Sequence, residues 1–382
     1  GALANSVALK IGGIDKNAPP GPPGGAIARD PETKEPTGIL KDTAIDLVSK
    51  HVPQPADAEL SAALQAAVQE CHRQGLTSVH TMSEWWEWPI MDRARNQNKL
   101  PLSVRFYIME EDWPAYLSRA RSAKADESLK ICGFKAYADG SLGSRSAYMT
   151  APYSDDNTSA VGPSGLLRQL VSQPVVLSGY IATISKFGYG SAIHAIGDKA
   201  NHLVLDAYGR LHTTNTEIAA TKLLPHRIEH AQHLLPADIG RFADYKVVAS
   251  MQPYHKADDG RYAENAIGPE RCKTSYAFKS LLDAGAHLAF GSDWPVVSNN
   301  PFLGIHAAVT GKTLDGKVFV PEQSITVEQA LHAYTTGAAY ASGDEVLLGK
   351  IAVGYAGDLV LLDSDILAEP ASKLPNTRVR AT

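Results

Sequence analysis

The sequence predicts an α/β fold built on a parallel sheet. Three observations lead there. Strand-like segments alternate with segments of helical apolar spacing along most of the chain. Those strands read as short apolar, β-branched runs, the pattern of strands buried on both faces. The 382 residues are also enough for one large core with an appendage, or for two domains.

The elements follow in order. Residues 11–40 are rich in Gly and Pro, with "NAPPGPPGG" at 17–25, and read as an ordered loop or linker rather than as sheet or helix. At 57–75, "DAELSAALQAAVQECHRQG" predicts a helix with Asp57 as N-cap and Gly75 at the C-cap. Strands are expected at 76–82, 102–109, 129–139, 189–194, 226–231, 246–253 and 286–293, with helical stretches between them. Two further helical segments are expected near 301–311 and 326–340. That makes seven strands. A (β/α)8 barrel needs eight, and an open doubly wound sheet is the competing architecture. "GKIAVGYAGDLVLLDSD" (349–365) reads as two short antiparallel strands around Gly354–Gly357, and the tail 366–382 shows no strong pattern.

Composition narrows the function classes. Apolar content of 44%, charged content of 20% and a net charge of −5 are those of an ordinary globular protein. They argue against a nucleic-acid binder, which would carry a basic excess. No run of eighteen apolar residues marks a membrane span. The cysteines Cys71, Cys132 and Cys272 are odd in number and far apart. They speak against a zinc finger or a disulfide framework and favour a reducing, cytoplasmic compartment.

Chemistry is expected where polar residues end apolar strands, because a barrel carries its active site at the C-terminal strand ends. "SAIHAIGD" (191–198) closes a buried-looking strand on His194. The strand before it carries Lys135, the one after ends in His230, and the last ends in Asp293 within "GSDWP". Each has an ordinary explanation: a snorkelling lysine, a hydrogen-bonded histidine, a histidine paired with Glu229, a turn-capping aspartate. Together they require four coincidences on successive strand ends. Two histidines, an aspartate and a modified lysine suit a borderline divalent metal such as Zn²⁺. His80 is expected to line the pocket or to sit in the core. His233, His255 and His306 are candidates for substrate contact or for nothing. Arg145 follows the Gly-rich turn "ADGSLGSR" and could meet a substrate carbonyl or anion, or pair with a surface acid.

The stretches "ANSVALKIGGI", "EPTGILKD", "GFKAYADGSLGSRSA", "AIHAIGDKAN", "RIEHAQHL", "ASMQP" and "GSDWPV" resemble the amidohydrolase superfamily. Within it they are similar to amidohydrolase family 3, which includes YtcJ-like proteins, N-substituted formamide deformylase and plant LAF-type proteins. The resemblance implies a metal-dependent (β/α)8 TIM-type barrel beside a small β-sandwich. It places Lys135 at the bridging-lysine position, carbamylated if it is a ligand. His194 and His230 match the fifth- and sixth-strand ligands, and Asp293 matches the eighth-strand acid that shuttles the proton. One or two divalent ions are implied, with Arg145, Trp294, Tyr254 and His80 around a small-molecule amide-type substrate. No nucleic acid or membrane partner is implied, and a homo-oligomer is admitted. The family's His-x-His pair has no counterpart in this chain. The expectation is therefore a barrel lacking its first strand, truncated at both ends, or a natural derivative that lost catalysis. Residues 1–56 would be part of an insertion, 57–345 strands 2 to 8 of the barrel, and 346–382 a remnant of the sandwich.

Overall fold

The computed structural model describes residues 1–53, 55–109, 112–155, 162–214 and 224–382. Its first element is a small antiparallel sheet in the order β1 (Ala2–Leu3), β3 (Pro36–Asp42), β2 (Gly25–Arg29). This corrects the loop expected over 11–40. The prolines cluster at 19–23, before β2, and Ala26, Ile27 and Leu40 supply buried side chains. Leu9, Ile14 and Ala44 complete a separate small core. Arg29 ties the Pro-rich loop down by donating to the carbonyls of Asp15, Ala18 and Lys34 at 2.8–3.0 Å.

The main sheet has seven parallel strands: β4 (Ser78–Ser83), β5 (Ser103–Ile108), β6 (Leu129–Tyr137), β7 (Gly190–Ala195), β8 (Arg227–His230), β9 (Val248–Met251) and β10 (Leu288–Phe290). Each strand pairs with the next in sequence, so the order runs from β4 to β10 without reversal. A doubly wound sheet would reverse at a switch point. The unbroken winding is that of a TIM-type barrel left open between β4 and β10.

Helices cover the outer face because their apolar spacing is helical. Pro174–Lys186 buries Leu177, Tyr180, Ile181 and Ile184 along one stripe. Proline at its first position suits a helix start and separates it from the short helix Gln169–Ser172. The helix Asp57–Arg73 begins one residue earlier in register than expected. Its N-cap is Ala56, whose N–H donates to Glu59, while Asp57 is free to accept from Arg93 at 2.8 Å. Gly75 takes the expected left-handed turn at φ +78°.

The sheet's inner face is polar. Arg105 donates to Asp344 at 2.6 Å, and Lys130 reaches the other oxygen of Asp344 at 2.6 Å. Above them Arg227 forms a two-point pair with Glu229, at 2.5 and 3.1 Å. Arg227 also donates to Ser250 Oγ and His80 Nδ1, each at 2.6 Å. Buried charge survives at these positions because Arg105, Lys130 and Arg227 each have an anionic partner.

The C-terminal part departs from the expected hairpin. β11 (Leu361–Leu362) pairs antiparallel with β12 (Val379–Ala381), not across Gly354–Gly357. The tail thus supplies the partner strand, and Thr382 Oγ donates to His72 O at 2.8 Å beside the first long helix. Among the described residues, no helix is long and apolar enough to cross a membrane.

Candidate metal centre

Three of the expected residues, Lys135, His230 and Asp293, line one cavity; His194 is not in its lining and joins them only through its ring contact with His230. Lys135 lies on β6 in register with Ala192, next to the pair Tyr137–His194. His194 on β7 faces Glu229 on β8, and Ala195 faces His230. The imidazoles of His194 and His230 meet edge to face with centroids 4.5 Å apart. Asp293 follows β10.

Backbone geometry aims two of these side chains. His230 has φ +78° and Asp293 φ +57°. Arg227 and Glu229 already take the inward positions of β8. A left-handed turn at His230 breaks the strand's alternation and brings this side chain to the cavity as well. Left-handed backbone costs a non-glycine residue about 1–3 kcal/mol and concentrates at functional sites.

Hydrogen bonds fix the tautomers. His230 Nδ1 lies 2.7 Å from Gln252 Oε1, whose own amide nitrogen is turned to Ser250 O. His194 Nε2 lies 2.9 Å from Gly140 O and 3.3 Å from Asp139 Oδ1. Each ring must donate from that nitrogen, which leaves Nε2 of His230 and Nδ1 of His194 as the atoms that could face a metal. Metal-binding histidines are oriented in this way. Burial pushes His230 well below the usual histidine range, and the neighbouring His194 and Lys135 push it further, so the ring is neutral. Burial lowers the Lys135 amine to about 8 against the opposing pull of Glu229 and Asp293. Its Nζ sits 4.7 Å from the Tyr137 ring centre.

Two further residues stand at the centre: Asp139, which the sequence did not single out, and His255, which it left as a candidate for substrate contact or for nothing. Asp139 is buried and accepts from the backbone N–H groups of Ile196, Gly197 and Tyr148 at 2.8–3.0 Å. It locks the loop after β7. His255 stands two residues past Pro253, which starts the helix Pro253–Asp259 beyond β9. Its Nε2 is 3.9 Å from Asp293 Oδ2 and is buried without a hydrogen-bond partner. His230, His255 and Asp293 each offer a ligand atom, and these atoms lie within 4.8 Å of one another. The donor set and the orphaned imidazole nitrogen fit a divalent cation.

Asp293, to which a turn-capping role is open, has its side chain 43% exposed at the strand end. Other expectations need correction. Glu229 does not pair with His230, because Arg227 holds both its oxygens. Arg145 grips Asp155 at 2.9 and 2.5 Å, and neither it nor Tyr254 lines the cavity. His80 lines the cavity but accepts from Arg227, and burial with that cation holds it neutral. His233 bonds Ser275 and His306 bonds the Ala371 carbonyl. Lys135, His230, Asp293 and Trp294 do line the cavity, which encloses about 830 Å³ and has Met82, Trp86 and Met91 among its apolar walls.

The family model described as the amidohydrolase family matches residues 1–382. The protein LONG AFTER FAR-RED 3 of Arabidopsis thaliana is 35% identical over 381 residues, covering 95% of this chain and 63% of that protein. The amidohydrolase-family protein YtcJ of Bacillus subtilis is 31% identical over 388 residues, with 99% and 70% covered. The chain thus spans less than two thirds of the first of these relatives. An uncharacterized metal-dependent hydrolase from Pyrococcus horikoshii has a similar structure. Its TM-score is 0.76 at 27% identity, over 97% of this chain and 71% of that one. With its family model matched from end to end and its fold that of a metal-dependent hydrolase, the chain belongs to the amidohydrolase family.

Proposed function

We propose that this chain carries the catalytic centre of a metal-dependent hydrolase acting on a non-peptide C–N bond: an amide, a formamide or a cyclic amide. The reading rests on one observation. Two neighbouring imidazoles, His194 and His230, are each fixed by a hydrogen bond at one ring nitrogen, and His230 lines a cavity together with Lys135 and Asp293. His194, His230, Asp293 and a carbamylated Lys135 would hold one or two divalent ions such as Zn²⁺. The lysine must be carbamylated because its ammonium form has no lone pair. A bound divalent ion supplies Lewis acidity and makes water a nucleophile near neutral pH.

The chain's own groups do the rest. Asp293 stands at the open mouth, where its carboxylate takes a proton from the attacking water and returns it to the leaving nitrogen. Gln252, Gly140 and Asp139 hold the two imidazoles in their tautomers. Trp294 and Trp86 give the cavity apolar walls against which a substrate's non-polar part can rest. The likeness of the chain's motifs to the formamide-deformylase group supports the C–N bond as the target.

Elemental analysis of protein purified without added metal or chelator, followed by a hydrolysis screen on N-substituted amides and formamides, tests the reading. About one divalent ion per chain is expected. In Asp293→Asn, turnover should fall by about 10²-fold or more while metal uptake persists. A folded sample that takes up no metal, or an Asp293→Asn variant with undiminished turnover, overturns it. The absence of a His-x-His pair supports a second reading, a non-catalytic barrel used in binding or regulation. Metal uptake without any hydrolysis across the screen would favour that one.

A further inference from the structure

We propose that His255 is a metal ligand, forming with His230 and Asp293 a three-point face on the β8–β10 side of the mouth; this rests on the metal-centre reading above. Three observations carry it.

The first is an orphaned atom. His255 is 8% exposed, and its Nε2 is buried with no hydrogen-bond partner. A buried polar atom left unpaired costs about 1–3 kcal/mol, and a cation would satisfy this one. The second is spacing. His255 Nε2 is 3.9 Å from Asp293 Oδ2, and the three residues' ligand atoms fall within 4.8 Å of one another. Bonds of about 2.0–2.1 Å at tetrahedral angles put ligand atoms roughly 3.3–3.4 Å apart. The set therefore has to close by roughly 0.5 Å at the His255–Asp293 edge and by no more than roughly 1.5 Å at any edge, and Asp293, exposed at the mouth, can swing inward. The third is direction. The His230 and His255 rings are stacked with 14° between their planes and centroids 6.0 Å apart. With Nδ1 of His230 committed to Gln252, its Nε2 is the remaining donor.

Two imidazoles and one carboxylate, with a fourth position left open, make a catalytic ligand set for zinc. The fold explains its location. β8, β9 and β10 are adjacent; His230 is the last residue of β8, and His255 and Asp293 stand just past the ends of β9 and β10. Lys135 and His194, from β6 and β7, stand on the other side of His230. The mouth thus offers two neighbouring positions, with His255 serving the one beside Asp293.

Cobalt(II) titration of the full chain, read by visible and near-ultraviolet absorption, tests this. Wild type should bind Co²⁺, and His255→Gln should bind it roughly 10–100-fold more weakly. His255→Cys should recover the affinity and add a near-ultraviolet thiolate-to-cobalt charge-transfer band. That band requires direct coordination, so a residue that merely positions its neighbours cannot produce it. It also decides the matter if His255→Gln fails to fold. Cobalt bound to His255→Cys without the band overturns the assignment and leaves the metal-centre reading standing. So does unchanged affinity in His255→Gln. A folded wild type that binds no cobalt overturns both.

Discussion

Replacing Asp139 by Asn should cost far more than the loss of one charge suggests. Asp139 Oδ2 accepts from the N–H groups of Gly197 and Tyr148, each at 2.8 Å, and Oδ1 accepts from Ile196 at 3.0 Å. Oδ1 also lies 3.3 Å from His194 Nε2. An Asn can keep one of these oxygens. The better choice keeps the oxygen that serves two donors, which turns the new NH₂ toward the N–H of Ile196 and the ring of His194. One charge-assisted bond disappears, worth about 1.5–3 kcal/mol, and a buried N–H is left unpaired, at about 1–3 kcal/mol. The sum is about 2.5–6 kcal/mol. At roughly 2–4 °C per kcal/mol the melting temperature should fall by roughly 5–24 °C. His194 also loses the second of its two orienting acceptors while keeping the Gly140 carbonyl, so affinity for Zn²⁺ should drop by roughly 10-fold. Thermal unfolding by circular dichroism and a chelator-competition titration read the two effects. An Asn variant within about 1 kcal/mol of wild type, with unchanged metal affinity, would refute the reasoning.

Three further predictions concern the frame of the site. Asp344→Ala strands Arg105, which is fully buried, and should cost about 3–5 kcal/mol by denaturant unfolding, whereas Arg105→Met combined with Asp344→Leu should lose far less. Burial alone would raise the Asp344 carboxyl, but hydrogen bonds from Arg105, Lys130 and Ser342 outweigh it and hold the group below 3.8. Its contribution is therefore full above that unfolded value and is lost as pH falls through the lower folded one. Lys256 is fully buried, and burial lowers its amine to about 8 from 10.5. The unfolded chain holds the extra proton between those values, so stability rises with pH across that window. Lys256→Met should stabilise the protein by about 1–3 kcal/mol at pH 7 and by less at pH 9.5; an equal gain at both pH values contradicts the account. Gly197→Ala would put a Cβ 2.1 Å from the Tyr148 carbonyl oxygen, and should cost at least about 1–3 kcal/mol and disturb metal uptake, checked by melting and elemental analysis.

The parts that were legible in the sequence are those set by short-range pattern. Seven strands were countable because each is a brief apolar run between helical segments, and parallel pairing followed. Residues Lys135, His194, His230 and Asp293 stood out because a polar side chain ending an apolar strand violates the local pattern. What sequence spacing does not carry is what the chain does after the strand. His255 reaches Asp293 because Pro253 starts a helix at the end of β9 and turns that side chain back over the mouth. Asp139 becomes a clamp only when β6 and β7 pair and bring the 196–197 backbone beside it. Arg145 looked available to a substrate, but Asp155, ten residues on, occupies it. The β11–β12 pairing joins residues seventeen or more apart, while the expected hairpin needed only a glycine turn. The strands at 25–29 and 36–42 were hidden beside a Pro-rich tract whose composition masks its neighbours.

The left-handed backbone at His230 and Asp293 has a consequence for anyone who improves this protein by selection. Glycine, and to a lesser degree asparagine, occupies that conformation at lower cost. A library sorted only for heat resistance will therefore enrich Gly at 230 and Gly or Asn at 293, since relieving each turn is worth about 1–3 kcal/mol. The hardiest clones would then have discarded the two side chains that define the mouth. Robustness and chemistry compete at these two positions, so a thermostabilised form of this chain must be sorted for metal uptake in the same round.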